Sequence, residues 1–257
     1  MTLEMIILLI VSGIVVGFIN TLAGGGAIMS MTVFMALGLP IGIANGTNRI
    51  AIVLQNLTSS AVFIKKRLLD IKSGLKLSIP AIIGNIAGSM VATQINDTVF
   101  KWCMGTVLFA ILAYMLFAKP RIHGGHGLEI KWWHYLWFLL IGFYGGYVYI
   151  GLGYLILAIT LTTMHLDIIT ANVIKGFVIF VATPFSLIIF MLHGQVDYAV
   201  GLLHALGNVV GTFIASHYGI HWGTKFLQYF MIAVVLISIA DLFGLISLHD
   251  ICINLIH

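Results

Sequence analysis

The stretch GIANGTNRIAIVLQNL, Gly42 to Leu57, decides how this chain is organised, because it sets one arginine and three asparagines inside a helix-length apolar run. A helix rises about 1.5 Å per residue, so Arg49 lies about 14 Å beyond Pro40, close to the middle of a membrane. A charge at that depth is costly and usually faces the protein interior or water. Spacings of three and four residues place the following side chains near one helix face, which we expect to point inward: Asn45, Asn48, Arg49, Ile52 and Asn56.

The composition predicts an all-α integral membrane protein. Hydrophobic residues make up 61% of the chain and charged residues 8%, whereas soluble domains carry about 25% charged residues. The apolar runs are of helix length and lack the short alternation of an outer-membrane barrel. The few cations are scattered and form no basic face, so the expected partner is the lipid bilayer and not a nucleic acid.

Ten apolar segments predict 8 to 10 membrane-embedded helices. The second and seventh are too short to cross a hydrocarbon core of about 30 Å upright, so they are half-helices or tilted. Whether 3–22 and 27–37 each span or together form a re-entrant hairpin stays open. The ten segments are Leu3–Leu22, Ala27–Leu37, Ile41–Ile64, Leu75–Ala92, Val99–Phe117, Trp133–Ile150, Leu155–Met164, Ile168–Leu192, Ala199–Ala215 and Phe226–Leu245.

Two basic loops predict the orientation. KKRLLDIK, residues 65–72, and KPRIHGGHGLEIK, residues 119–131, hold most of the Lys and Arg residues. Short loops rich in these residues stay in the cytoplasm. Both loops are therefore predicted to be cytoplasmic, with two crossings between them, and the C-terminus extracytoplasmic.

The sequence repeats around the second loop. GNIAGS at 84–89 recurs as GNVVGT at 207–212, AN at 44–45 recurs at 171–172, and GGG at 24–26 corresponds to GLG at 151–153, all at offsets of 123 to 127 residues. We therefore divide the chain into a first transmembrane repeat (1–118), a cytoplasmic linker (119–132) and a second repeat (133–257).

Each repeat holds five segments, and an odd number inverts the second copy. The second-half counterpart of KKRLLDIK is HGQVD, residues 193–197, which has no Lys or Arg. Inverted repeats are typical of secondary transporters, whose site lies near the midplane between the halves. The alternative is a scaffold in which two halves merely stack.

A second intramembrane cation matches the first. Lys175 lies one position from the counterpart of Arg49 and about 12 Å from Asp167. Two cations with neighbouring asparagine amides suit a small oxyanion. The predicted substrate-binding side chains are Asn45, Asn48, Arg49, Asn172 and Lys175. The alternative is that both cations are structural and bind buried carboxylates or helix-end carbonyls.

The glycine stretches add backbone donors to this prediction. Gly24, Gly25 and Gly26, and in the second half Gly151 and Gly153, interrupt apolar runs, and the helix that follows such a break can direct N–H groups at an anion. Close helix packing is the alternative, and we favour packing for Gly84, Gly88, Gly207 and Gly211. No GK[ST] follows the first stretch, which excludes a nucleotide P-loop.

Two further side chains are candidates for a proton or charge relay, His204 and Asp241, although a buried His is more often simply hydrogen-bonded. Cys103 and Cys252 stand apart from each other and from further ligands, and HGGH at 123–126 lacks additional ligands, so no metal site and no cofactor is expected.

At these residues the chain resembles the TauE/SafE family of sulfite exporters and 4-toluene-sulfonate uptake permeases. The resemblance covers nearly the whole length and rests on GFINTLAGGGAIMSMTVFMALGLP, ANGTNR, the basic loop and a weaker second copy, GFYGGYVYIGLGYLI. It implies movement of sulfite, sulfonates or related organic anions across a bacterial inner membrane, coupled to protons. The family carries more glycine where this chain has YIGLGY, flanked by Tyr149 and Tyr154.

The leading hypothesis is therefore a secondary transporter of a small sulfur-containing anion that works by alternating access, with a homodimer as a candidate assembly. A passive anion channel is the alternative. An intramembrane enzyme is disfavoured because His204 has no nucleophile in register and Asp241 has no second Asp.

Overall fold

The computed structural model describes residues 1–22, 24–94 and 129–219, with residues 98, 99, 102, 106 and 109 in addition. These residues form eight α-helices and no strand, which confirms the predicted all-α class. In chain order the helices are α1 (Leu3–Leu22), α2 (Ala27–Ala36), α3 (Ile41–Lys65), α4 (Ile71–Ala92), α5 (Trp132–Tyr147), α6 (Leu152–Thr162), α7 (Ile168–Leu192) and α8 (Tyr198–Tyr218).

The helices follow the predicted segments closely. α1 and α7 have the predicted bounds, while α4 begins four residues before Leu75. It does so because the Asp70 carboxylate accepts hydrogen bonds from the backbone N–H groups of Lys72 and Ser73 and thereby caps the helix. The predicted segment Phe226–Leu245, and most of Val99–Phe117, lie outside the described residues.

The lengths of the helices agree with a membrane protein. Four helices, α1, α4, α7 and α8, are long and apolar enough to cross a bilayer. α2 and α6 have 10 and 11 residues, and at about 1.5 Å per residue they reach about halfway across a hydrocarbon core. Of the two alternatives that the sequence left open, half-helices or tilted helices, these lengths favour half-helices.

The closest helix pairs join the two halves of the chain. α1 packs along α8, and α4 packs along α5, while α3 lies against both α7 and α8. Exchanging the halves maps the pair α1–α8 onto α4–α5, the pair α3–α8 onto the contact of α4 with α7, and the pair α3–α7 onto itself. The arrangement agrees with a duplicated chain, whereas the inversion of one half relative to a membrane stays a prediction.

Glycines allow these close pairs. A Cβ atom on Gly88 would lie 1.9 Å from the carbonyl oxygen of Phe143 on α5, and one on Gly211 would lie 1.9 Å from that of Ile14 on α1. Since no side chain fits there, these positions pack one backbone against another. The packing interpretation of Gly84, Gly88, Gly207 and Gly211 is confirmed.

Candidate anion-binding site at two glycine breaks

The two glycine breaks of the sequence contact each other in the folded chain. Gly24 has φ of +95° and Gly151 has φ of +75°, conformations that favour glycine. A Cβ atom on Gly153 would lie 2.7 Å from the Cα atom of Gly24. We call the contact of Gly24–Gly26 with Gly151–Gly153 the glycine crossing. It brings the starts of α2 and α6 together, so five predicted site residues, Gly24, Gly25, Gly26, Gly151 and Gly153, meet at one place.

Arg49 lies on the inward face of α3 and is fully buried, with 0% of its surface exposed. One terminal nitrogen donates to the carbonyl oxygen of Gly145, and the other donates to the carbonyl oxygen of Gly146 at 2.9 Å and to Oδ1 of Asn45 at 3.2 Å. The rings of Tyr149 and Phe190 each lie 5.2 Å from its Cζ atom. Arg49 thus binds the carbonyl end of α5 beside the second break.

One donor of this guanidinium is left over. The Nε atom of Arg49 is buried and has no hydrogen-bond partner among the described residues. Buried polar groups are nearly always hydrogen-bonded. The cation therefore keeps one N–H group that the described protein does not satisfy.

Lys175 repeats this arrangement at the other break. It is 3% exposed, and its Nζ atom donates to the carbonyl oxygens of Asn20 at 3.3 Å and Thr21 at 3.1 Å, and to Oδ1 of Asn172 at 2.7 Å. These carbonyls lie in the last turn of α1. Each cation therefore binds the carbonyl end of the helix that precedes a glycine break, where the helix dipole carries partial negative charge.

The two cations form two clusters and not one. Arg49 is grouped with Asn45, and Lys175 with Asn172, but the two groups share no hydrogen-bond partner among the contacts described above. Both cations bind helix-end carbonyls, as in the alternative that the sequence left open, in which the cations have a structural role. Asn48 is buried on the same face of α3, with 2% exposed. The role of these side chains in binding a substrate stays a prediction.

Sequence reasoning missed two polar side chains beside the glycine crossing, Asn20 and Gln55, and named Tyr154 only as a bulky neighbour of the second glycine motif. Asn20, the third-last residue of α1, donates from Nδ2 to Oε1 of Gln55 at 3.3 Å, and its Oδ1 atom has no partner among the described residues. The hydroxyl of Tyr154 is likewise buried without a partner there. A polar residue within an otherwise apolar helix was the available signal for Asn20, the same signal that pointed to Arg49.

The candidate relay residue His204 is hydrogen-bonded on both ring nitrogens. Nδ1 lies 3.1 Å from the carbonyl oxygen of Leu9, to which it must donate, and Nε2 lies 2.9 Å from the Ser30 hydroxyl. The contact between Nε2 and the Ser30 hydroxyl forms with either group as donor, so these two hydrogen bonds do not fix the charge of the imidazole. His204 joins α8 to α1 and α2, and Asp241 lies outside the described residues.

A metal centre finds no support in the part of the chain that the structure describes. No group of three or more His, Cys, Asp or Glu side chains lies close enough together there to hold an ion. The candidate site consists of amide, hydroxyl and cationic donors instead. Such a set suits an anion.

The fold and the site together define a multi-pass integral membrane protein with a buried polar interior. The family model of the sulfite exporter TauE/SafE matches residues 9–242. The chain therefore belongs to the TauE/SafE family.

Curated relatives agree with this assignment. A probable membrane transporter protein of Haemophilus influenzae is 25% identical over 213 residues, which cover 81% of this chain and 83% of the relative. The probable membrane transporter protein ORF9 of a Sinorhizobium species is 25% identical, and the aligned part covers 88% of this chain and 87% of that relative. YfcA of Escherichia coli K12, also a probable membrane transporter protein, is 24% identical, and the aligned part covers 88% of this chain and 85% of that relative. No solved structure shows a significant match. Family and relatives alike point to a membrane transporter and not to an enzyme.

Proposed function

We propose that this protein is a secondary transporter that moves a small sulfur-containing anion, sulfite or a sulfonate or a related organic anion, across a bacterial inner membrane. It works by alternating access and is coupled to protons. The proposal is supported by one observation above all: two buried cations, Arg49 and Lys175, lie beside the two helix breaks that meet at the interior of the molecule.

The way in which these cations are held suits a transported anion. Their partners are carbonyl oxygens and asparagine amides, which carry partial charges, so the full positive charge is not neutralised by the partners described above. An unneutralised buried cation is costly. An anion at the glycine crossing offsets that cost. Because no carboxylate is among the partners described above, the two cations attract small oxyanions.

The orientation belongs to the same proposal. The loop of residues 65–72 and the linker of residues 119–131 face the cytoplasm, and the C-terminus faces the other side. α3 then runs inward and α7 outward, and each places its cation about one third of the way along from its own start. The substrate meets Lys175 from the cytoplasmic side and Arg49 from the opposite side.

The test is uptake of labelled sulfite, sulfate and methanesulfonate into proteoliposomes, with and without an imposed pH gradient. We expect saturable uptake of one of these anions that the gradient stimulates, and we expect Arg49→Ala to abolish it. The matched control is Arg67→Ala, which removes an exposed arginine of the loop between α3 and α4 and should leave uptake intact.

Three results would contradict the proposal. Equal uptake by wild type and Arg49→Ala would make the buried arginine purely structural. Uptake that does not saturate and shows no counter-flow would indicate a passive channel. A wild-type protein without any flux would remove the support for transport of sulfur oxyanions.

A further inference from the structure

One tyrosine hydroxyl at the glycine crossing is buried without a partner. Tyr154 is 3% exposed, and its hydroxyl has no hydrogen-bond partner among the described residues. Leaving such a group unpaired costs stability, and phenylalanine would avoid that cost. The hydroxyl is therefore available to donate a hydrogen bond to a bound ligand.

This hydroxyl points into the break between α1 and α2. A Cβ atom on Gly25 would lie 2.0 Å from the Tyr154 hydroxyl oxygen and 2.6 Å from its Cζ atom. Any larger residue at position 25 would collide with it. A side chain from the second half of the chain thus reaches the glycine stretch of the first half.

The same break presents the start of α2. Gly26 is the N-cap of this ten-residue helix, and no side chain caps it. The first N–H groups of a helix have no partner within the helix, and together with the helix dipole they attract anions. The Tyr154 hydroxyl thus contacts the glycine that directly precedes this N-cap.

Asn20 and Lys175 complete the surroundings. The Oδ1 position of Asn20 lies 3.1 Å from where a Cβ atom of Gly26 would stand. The Nδ2 atom of Asn20 donates to Oε1 of Gln55 at 3.3 Å, so Oδ1, an acceptor, is the atom that faces Gly26. Lys175 binds the carbonyl oxygen of Asn20 and supplies a positive charge nearby.

The second break has no equivalent site. At the repeat offset of 127 residues that relates Gly24 to Gly151, Gly25 corresponds to Leu152 and Tyr154 to Ala27. The Leu152 side chain packs on Gly145, where a Cβ atom would lie 2.7 Å from Leu152 Cδ2. A hydrocarbon side chain stands there in place of the open glycine, and an alanine in place of the hydroxyl.

We propose that the molecule holds its substrate asymmetrically, in a single oxyanion site at the break between α1 and α2. There the Tyr154 hydroxyl and the N–H groups at the start of α2 bind the oxygens of sulfite or of a sulfonate group. Tyr154 determines the affinity, while the break between α5 and α6 supports the crossing. This inference rests on the proposed transport function and adds the position and the specificity-determining residue of the site.

The test compares wild type with Tyr154→Phe, using sodium sulfite and methanesulfonate as probes. We expect Tyr154→Phe to weaken binding of the transported anion about tenfold, the effect of losing one hydrogen bond to a charged group. The variant without anion should be at least as heat-stable as wild type, because it no longer buries an unpaired hydroxyl. Its gain in melting temperature on adding anion should be smaller.

Tyr144→Phe is the matched control. The Tyr144 hydroxyl donates to the carbonyl oxygen of Ile150 in the second break, so its loss should lower the melting temperature without anion. Its gain in melting temperature on adding anion should equal that of wild type. Tyr154→Phe should thus change the anion-induced gain and Tyr144→Phe the melting temperature without anion. A merely structural role for Tyr154 would not reduce the anion-induced gain.

The outcomes separate the inference from the function on which it rests. If the wild-type protein binds and transports the anion and Tyr154→Phe binds it with the same affinity, the inference is wrong while the transport proposal is retained. A Tyr154→Phe protein that is less stable without anion, with an unchanged anion-induced gain, would also overturn it. If neither anion binds to or is carried by the wild-type protein, the transport proposal fails and the inference fails with it.

Discussion

At the scale of single residues, the two buried cations are held by the ends of helices. Arg49 binds the carbonyl oxygens of Gly145 and Gly146, and Lys175 binds those of Asn20 and Thr21. Carbonyl dipoles at a helix C-terminus stabilise a cation by roughly 0.3–2 kcal/mol, less than the cost of burying it. Each cation is therefore placed firmly while it keeps an attraction for an anion.

Lys175→Met tests this balance. Met fills a similar volume without the charge, so we expect uptake of the substrate anion to fall at least about tenfold. Stability should change by less than about 2 kcal/mol, because the lost hydrogen bonds are offset by no longer burying a charge. Uptake in proteoliposomes and the melting temperature in detergent measure the two effects.

Lys66→Met is the control for that change. Lys66 also donates to helix-end carbonyls, those of Ser216 and His217 at 3.2 and 2.9 Å, but at the end of α8, which precedes no glycine break. It should keep full uptake. Equal losses in both variants would mean that the charge of Lys175 has no special part in transport.

At the scale of the elements, glycine determines how closely two helices approach. Gly84 and Gly88 of α4 face the backbone of α5, just as Gly207 and Gly211 of α8 face that of α1. Close backbone contact contributes dispersion energy along the whole pair. These close pairs position the carbonyl ends of α1 and α5 for the two cations.

Gly88→Ala tests the contact between α4 and α5. A methyl group 1.9 Å from the Phe143 carbonyl oxygen cannot be accommodated without separating the helices, so we expect a loss of at least about 2 kcal/mol. In Gly42→Ala, nothing lies within 4 Å of the new methyl group. That variant should be neutral or gain up to about 1 kcal/mol of stability from helix propensity. Thermal unfolding in detergent measures both, and equal stability of the two variants would contradict the packing argument.

At the scale of the whole molecule, the two halves are interleaved. α1 of the first half packs on α8 of the second, and α4 of the first packs on α5 of the second. Residues of both halves also build the glycine crossing. A half without its partner would leave the glycine faces of its helices uncovered. We therefore expect neither sequence repeat to fold stably by itself.

Expressing the halves separately tests this interleaving. We expect residues 1–118 alone to aggregate in detergent, and co-expression with residues 133–257 to restore a monodisperse complex that binds the substrate anion. Size-exclusion chromatography of each half and of the pair is the measurement. A first half that is monodisperse and heat-stable by itself would show that the contacts between halves are dispensable.

Among the described residues, the sequence alone was sufficient for the existence and type of the helices and for the class of this protein. Apolar runs of helix length predict α1 and α7 to the residue, and the short runs predict the short helices α2 and α6, because hydropathy and length are local properties. An arginine inside such a run predicts the inward face of α3 in the same way. Repeated motifs add the expectation of two related halves, whose inversion stays a prediction.

Only the tertiary structure decided which groups meet. Sequence spacing places Arg49 and Lys175 at matching depths, but their partners are carbonyls about 100 and 155 positions away along the chain. The approach of Tyr154 to Gly25 likewise depends on how the two breaks cross. Contacts between distant segments follow from the packing of whole helices, and the pattern of single residues does not determine how two helices are aligned. The sequence shows that the two breaks differ in their residues, but which groups meet at them is visible only in the folded chain.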